Sequence, residues 1–175
     1  MHVTKAITVW RPPDEVYRFW RDFENLPRFM RHLESVRVTE SRSHWKASGP
    51  AGKSVEWDAE IVEDRPHELI AWRSLPGADV DNRGQVRFRP APGGRGTEIH
   101  VEMVYDPPAG GLGKAVAKLF GRDADQQIYG DLRRFKQILE TGEVIRSDAA
   151  LEGAGLPQRP AQPPREARPP AMVTR

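Results

Sequence analysis

Residues 110–142 read GGLGKAVAKLFGRDADQQIYGDLRRFKQILETG, and this stretch decides the fold. Its apolar residues fall at Leu112, Val116, Leu119 with Phe120, Ala124, Ile128, Leu132, Phe135 and Leu139. Steps of three and four put them on one stripe of a helix roughly thirty residues long. Arg133, Arg134 and Lys136 stand off the stripe towards its C-terminal end, where cations complement the dipole, and Gly142 suits a helix stop. Gly121 and Gly130 lie inside the pattern, each costing about 1 kcal/mol relative to alanine. A helix of this kind after a β-rich chain is expected to lie across a sheet and cover its apolar face.

The segments before it have the matching period of two. In TEIHVEMVY (97–105), Thr97, Ile99, Val101, Met103 and Tyr105 share one face, which leaves His100 on the wet face with Glu98 and Glu102. GQVRFRP alternates Val86 and Phe88 with Gln85, Arg87 and Arg89, and APGGRG joins the two as a glycine-rich hairpin turn. Pro76-Gly77 and Asp81-Asn82 make a longer loop before that strand. HELIAWRSL sets Leu69 and Ala71 against Ile70 and Trp72. KSVEWDAEIVED is the clearest strand: Val55, Trp57, Ala59 and Ile61 face one way, Glu56, Asp58 and Glu60 the other. SHWKASG and SVRVTES are shorter strands, and residues 3–10 open the chain as another. Between this first strand and the rest lie two short helices. One follows Pro12-Pro13, with Asp14-Glu15 in its first turn and Val16, Phe19, Trp20 and Phe23 inward; the other is PRFMRHL, starting at Pro27.

The 175 residues suit one domain with an appendage, and zero cysteines exclude disulfides and thiolate metal sites. Cysteine-free composition without a secretory signal fits a cytoplasmic location. The net charge is only +2, with both signs interleaved, so a nucleic-acid partner is not expected. His32, His44 and His67 show no metal spacing, GxSxG is absent, and no cofactor is expected. Asp123, Tyr17 and Arg83 are the polar residues of interest, but they make no catalytic constellation, so no catalytic residue is assigned. After Gly142 the chain turns Pro-, Ala- and Arg-rich, and residues 146–175 are expected to be a disordered tail behind a domain of residues 1–145.

Three stretches resemble one superfamily. ITVWRPPDEVYRFWRDFENLPRFM, the hairpin GQVRFRPAPGGRGTEIHVEMVYDPPAGGLG and the ending DLRRFKQILETGEV are similar to segments of the START-like proteins. That superfamily includes Bet v 1 relatives, polyketide cyclase/dehydrase-like proteins and coenzyme Q-binding START proteins. The resemblance implies an α+β helix-grip fold, in which a curved antiparallel sheet of six to seven strands wraps a long C-terminal helix. It also implies an elongated cavity between them, which alternation and helix period would line with Trp20, Trp57, Ala59, Val86, Phe88, Ile99, Val101, Met103, Phe120, Ala124 and Ile128. Gly121, Ala124 and Gly130 would leave room on the helix. The expected partner is a hydrophobic small molecule such as a quinone, lipid or polyketide, held by a non-enzymatic carrier. A polyketide aromatase/cyclase, or an interaction module without ligand, are the alternatives. Transient membrane contact stays open, and the oligomeric state is undetermined.

Overall fold

The computed structural model describes residues 2–48, 52, 54–106 and 124–142, all within one compact unit, Met1–Ile145. The expected tail lies outside the described residues. Seven antiparallel strands form a single sheet: β1 (His2–Val9), β2 (Leu33–Thr39), β3 (Arg42–Ser48), β4 (Ser54–Arg65), β5 (Leu69–Ser74), β6 (Asp81–Pro90) and β7 (Thr97–Asp106). Their order is β1-β7-β6-β5-β4-β3-β2, so every neighbour is a hairpin partner except β1, which joins the last strand. Helix α1 (Pro13–Arg21) follows β1, and α2 (Ala124–Thr141) ends the described chain. This is the helix-grip arrangement, a curved antiparallel sheet holding a C-terminal helix. None of the described helices is long and apolar enough to cross a membrane.

The alternating pattern explains the sheet's two faces. Val55, Trp57 and Ala59 are buried while Ser54, Glu56 and Asp58 are exposed. At Val62 the pairing slips: Ile61 faces Trp72, but Glu63 faces Ala71. This bulge moves the inward positions of β4 from odd to even numbers, and Asp64 comes to sit opposite the fully buried Ile70. There Asp64 accepts hydrogen bonds from the Tyr17 hydroxyl at 2.7 Å and from Arg21 Nε at 2.6 Å, tying α1 to the sheet. The β6–β7 turn needs Gly96 (φ 93°), because a Cβ there would lie 2.1 Å from the carbonyl oxygen of Val9.

Helix α2 buries Ile128, Leu132, Phe135, Ile138 and Leu139, the expected stripe with one further member. It stops at Gly142 (φ 78°), whose N–H donates to the Ile138 carbonyl at 2.8 Å. The first half of the expected thirty-residue helix, residues 110–123, lies outside the described residues. The cations expected to serve the dipole do something else. Arg134 Nε donates to the Phe29 carbonyl at 2.8 Å, and Lys136 Nζ to the Thr8 carbonyl at 2.6 Å, so both clamp the helix to its neighbours. Three further expectations shift. The second short helix is a 3-10 turn over Phe23–Arg28 with Pro27 inside it, so PRFMRHL is not helical. Strand β6 begins at Asp81, where a loop was expected, because Asp81 and Asn82 pair with Asp106 and Tyr105. A Cβ on Gly130 would meet the Arg134 guanidinium at 3.6 Å, so the space beside this glycine belongs to that side chain.

Candidate functional site

Two environments lie on the inner face of the sheet. One is an aromatic knot: Phe135 packs against Trp20 and Phe29 with ring centroids 5.0 Å apart in each case, and against Phe19 at 5.7 Å. Such offset and edge-on pairs contribute about 0.5–1.5 kcal/mol each beyond the area they bury.

The other is a small cavity lined by Met30, His32, Leu33, Trp45, Trp57, Trp72, Asn82, Met103 and Tyr105. Its free volume is about 20 Å³, enough for one water. Local structure accounts for each wall. Inward alternation on β3, β4 and β5 supplies Trp45, Trp57 and Trp72, and on β7 it supplies Met103 and Tyr105. Trp45 and Trp57 are cross-strand partners whose rings stack at 5.8 Å. Trp72 faces Gly84, where a Cβ would come within 2.5 Å of the indole; only glycine lets this ring lie against β6. His32 is delivered by the chain leaving the 3-10 turn, its carbonyl fixed by the Ser48 N–H at 2.9 Å.

The hydrogen bonds around this cavity are unevenly completed. Trp45 Nε1 donates to Ser43 Oγ at 2.8 Å, and that hydroxyl donates to the Ala59 carbonyl at 3.2 Å. Trp57 Nε1 and Asn82 Oδ1 have no hydrogen-bond partner among the described residues, and their residues are only 5% and 3% exposed. Leaving a buried polar atom unmet costs about 1–3 kcal/mol. Two such atoms on one cavity are the clearest chemical signal in the described structure.

Behind them lies a buried ionisable group. Asp131, 3% exposed, pairs with Arg134 and approaches His32 Nδ1 at 3.5 Å. Burial lifts the Asp131 carboxyl to about 6, against the opposing pull of Arg134 and the Arg31 backbone N–H. Burial, with Arg134 adding to it, presses the His32 imidazole down to about 4. His32 is therefore neutral at physiological pH while Asp131 is ionised and neutralised by Arg134. The Tyr105 hydroxyl donates to Met103 Sδ at 3.1 Å, and burial beside Asp131 pushes its acidity far down. Among the described residues this end thus carries one buried carboxylate matched by one guanidinium.

Of the residues singled out in the sequence, Trp57 and Met103 line this cavity. Trp20, Ala59, Val86, Phe88, Ile99, Val101 and Ile128 are buried in the surrounding core instead. Phe120 lies outside the described residues, as do Asp123, Gly121 and the side chain of Ala124. Tyr17 is engaged with Asp64, and Arg83 stands on the outer face. His32, Asn82, Tyr105 and Asp131 were missed as a group. The available signal was an acid three residues after Ile128 and four before Phe135, on the helix's apolar stripe. A larger hollow of about 360 Å³ crosses the outer face near Val62, Ala71 and Arg83, but it is open to solvent and includes neither of the unmet polar atoms. Among the described residues no three His, Asp or Glu side chains gather as a metal site.

Comparison with known proteins agrees with this geometry. Residues 9–133 match the family described as polyketide cyclase/dehydrase and lipid transport. An uncharacterised 17.2 kDa protein of Streptomyces lincolnensis is 32% identical over 139 residues, 79% of this chain and 89% of that one. A solved structure from Deinococcus radiodurans is 43% identical with a TM-score of 0.68, covering 82% of this chain and 99% of that one. The di-domain aromatase/cyclase StfQ of the steffimycin biosynthetic pathway superposes with a TM-score of 0.55 at 17% identity, over 77% of this chain and 49% of that one. At that identity the likeness is one of fold.

Proposed function

Because the chain belongs to the polyketide cyclase/dehydrase and lipid transport family, we propose that it binds a hydrophobic small molecule between the sheet and the C-terminal helix and acts as a carrier or binding protein. The observation behind this reading is the cavity with two unmet polar atoms among indoles and thioethers. A purely structural core would have closed those atoms off with partners, as Ser43 does for Trp45. Met30 and Met103 give the wall its adaptability: unbranched thioethers change rotamer at low cost, so the space can widen without moving the sheet. Apolar burial supplies affinity at about 25 cal/mol per Å² before the costs of association, and the polar atoms set orientation.

The experiment is to incubate the purified chain with a lipid extract, re-isolate it and identify retained molecules by mass spectrometry. A single apolar class retained in near-stoichiometric amount supports carriage. Nothing retained from extracts of several polarities would remove the reading. A cyclase reading is favoured by one feature only, the His32 imidazole on the cavity wall with the Asp131 carboxylate 3.5 Å from its Nδ1. Turnover of a poly-β-ketone that disappears in His32→Gln would promote that reading above carriage.

A further inference from the structure

We propose that the space between Trp57 and Asn82 is a socket for a single uncharged oxygen, the hydroxyl or ring carbonyl of a flat aromatic ligand. This rests on the reading that the chain binds an apolar molecule between sheet and helix. It adds which end of that molecule enters first and which molecules are turned away.

Three features of the cavity support it. The first is chemistry: Trp57 Nε1 can only donate, and the Asn82 side-chain amide can accept or donate. One oxygen that receives a hydrogen bond from the indole and gives its own proton to the amide satisfies both; a ring carbonyl satisfies the indole and takes a second bond from the amide NH₂. The second is size. The free volume of about 20 Å³ admits one oxygen atom, whereas a carboxylate brings two and a charge. The third is electrostatics. Arg134 is already taken by Asp131 and by the Phe29 carbonyl, so an entering anion would meet the Asp131 carboxylate beside a cation that is already paired. Burying an unpaired charge costs far more than burying a hydrogen-bonded hydroxyl. The lining around that oxygen is the indoles of Trp45, Trp57 and Trp72 with the thioethers of Met30 and Met103, a surface whose chemistry suits an aromatic ring.

Three probes that share one ring system test this on the full chain at neutral pH: naphthalene, 2-naphthol and 2-naphthoate, with affinities measured by calorimetry. The expected order is naphthol above naphthalene by about 3- to 10-fold, the worth of one or two neutral hydrogen bonds, with naphthoate weakest. Trp57→Phe and Asn82→Leu are each expected to shrink the naphthol-to-naphthalene affinity ratio to less than about twofold, whatever either does to naphthalene binding itself. Circular dichroism verifies that both variants fold, and the wild-type probe order decides the matter even if one does not. Naphthoate binding as tightly as naphthol, or a naphthol advantage untouched by both substitutions, would overturn the socket and leave the apolar site standing. Failure of all three probes to bind would overturn the socket and the carrier reading together.

Discussion

The two regions on the inner face of the sheet are finished differently. Around Phe135 every ring has a ring beside it, and Trp20, Phe29 and Phe135 are all but fully buried. Around Trp57 and Asn82 the burial is as deep, yet two polar atoms are left without partners and a carboxylate is kept behind them. Depth of burial alone therefore does not distinguish a core from a site. What differs is whether the groups present are satisfied by one another: among the described residues the polar end leaves two hydrogen-bonding atoms unmet.

The largest effect is expected at the satisfied end. Phe135→Ala removes the ring on which Trp20, Phe29 and Phe19 converge, and should lower unfolding free energy by about 3–5 kcal/mol in denaturant titration. A loss under about 1.5 kcal/mol would mean the knot collapses easily, and the contrast between the two ends would lose its basis.

Next comes Arg134→Met, which strips Asp131 of its counter-charge and the Phe29 carbonyl of its donor. A loss of about 3 kcal/mol is expected at pH 7. Because burial already holds the Asp131 carboxyl near 6, the loss should be clearly smaller at pH 5, where that group is protonated.

The pH profile itself separates the two titrating groups. Asp131 has a raised folded value, about 6 against an ordinary 3.8, so the native state binds the extra proton and stability from this group rises as pH falls through 6. His32 has a depressed value, about 4 against 6.5, so the unfolded chain binds the extra proton and stability falls as pH drops from 6.5 towards 4. The two slopes oppose each other between pH 4 and 6. His32→Gln should therefore become more stable on acidification and Asp131→Asn less stable, each by about 2 kcal/mol relative to the wild type across that window. Parallel profiles for the two variants in urea melts would show that the groups do not titrate as their burial dictates.

The smallest effect is the most telling. Ser43→Ala orphans the Trp45 indole N–H and should cost about 1–2 kcal/mol, whereas Asn82→Leu removes an atom that has no partner to lose and should change stability by less than about 1 kcal/mol. Equal losses in thermal melts would mean that Asn82 is structurally engaged after all.

Much of this fold was legible because it is periodic. Alternation in residues 54–61 placed Val55, Trp57 and Ala59 correctly, and the three-and-four spacing placed Ile128, Leu132, Phe135 and Leu139. The polar end was not legible, for a physical reason. Asn82 stands in DVDNRG, which reads as a turn until Tyr105 pairs with it. His32 lies in PRFMRHL, whose helical spacing is overridden by Leu26–Phe29 hydrogen bonding and the start of β2 at Leu33. Asp131 sits on an apolar stripe that was read by its apolar members alone. Burial of a polar group is decided by partners far away in sequence, and no local period records it. The lining residues Trp57 and Met103 could be picked out, while the atoms beside them that would recognise a ligand could not.

The extra residue in β4 has a further consequence. Because Val62 is looped out, the first half of that strand counts inward positions on one parity and the second half on the other. Deleting Val62 would leave composition and hydropathy almost unchanged, yet it would turn Asp64 outwards, release Tyr17 and Arg21 from it, and leave α1 held by its buried apolar residues alone. Here the chain stores an instruction in its length, so a homologue aligned across this point without its gap would have the right residues on the wrong side.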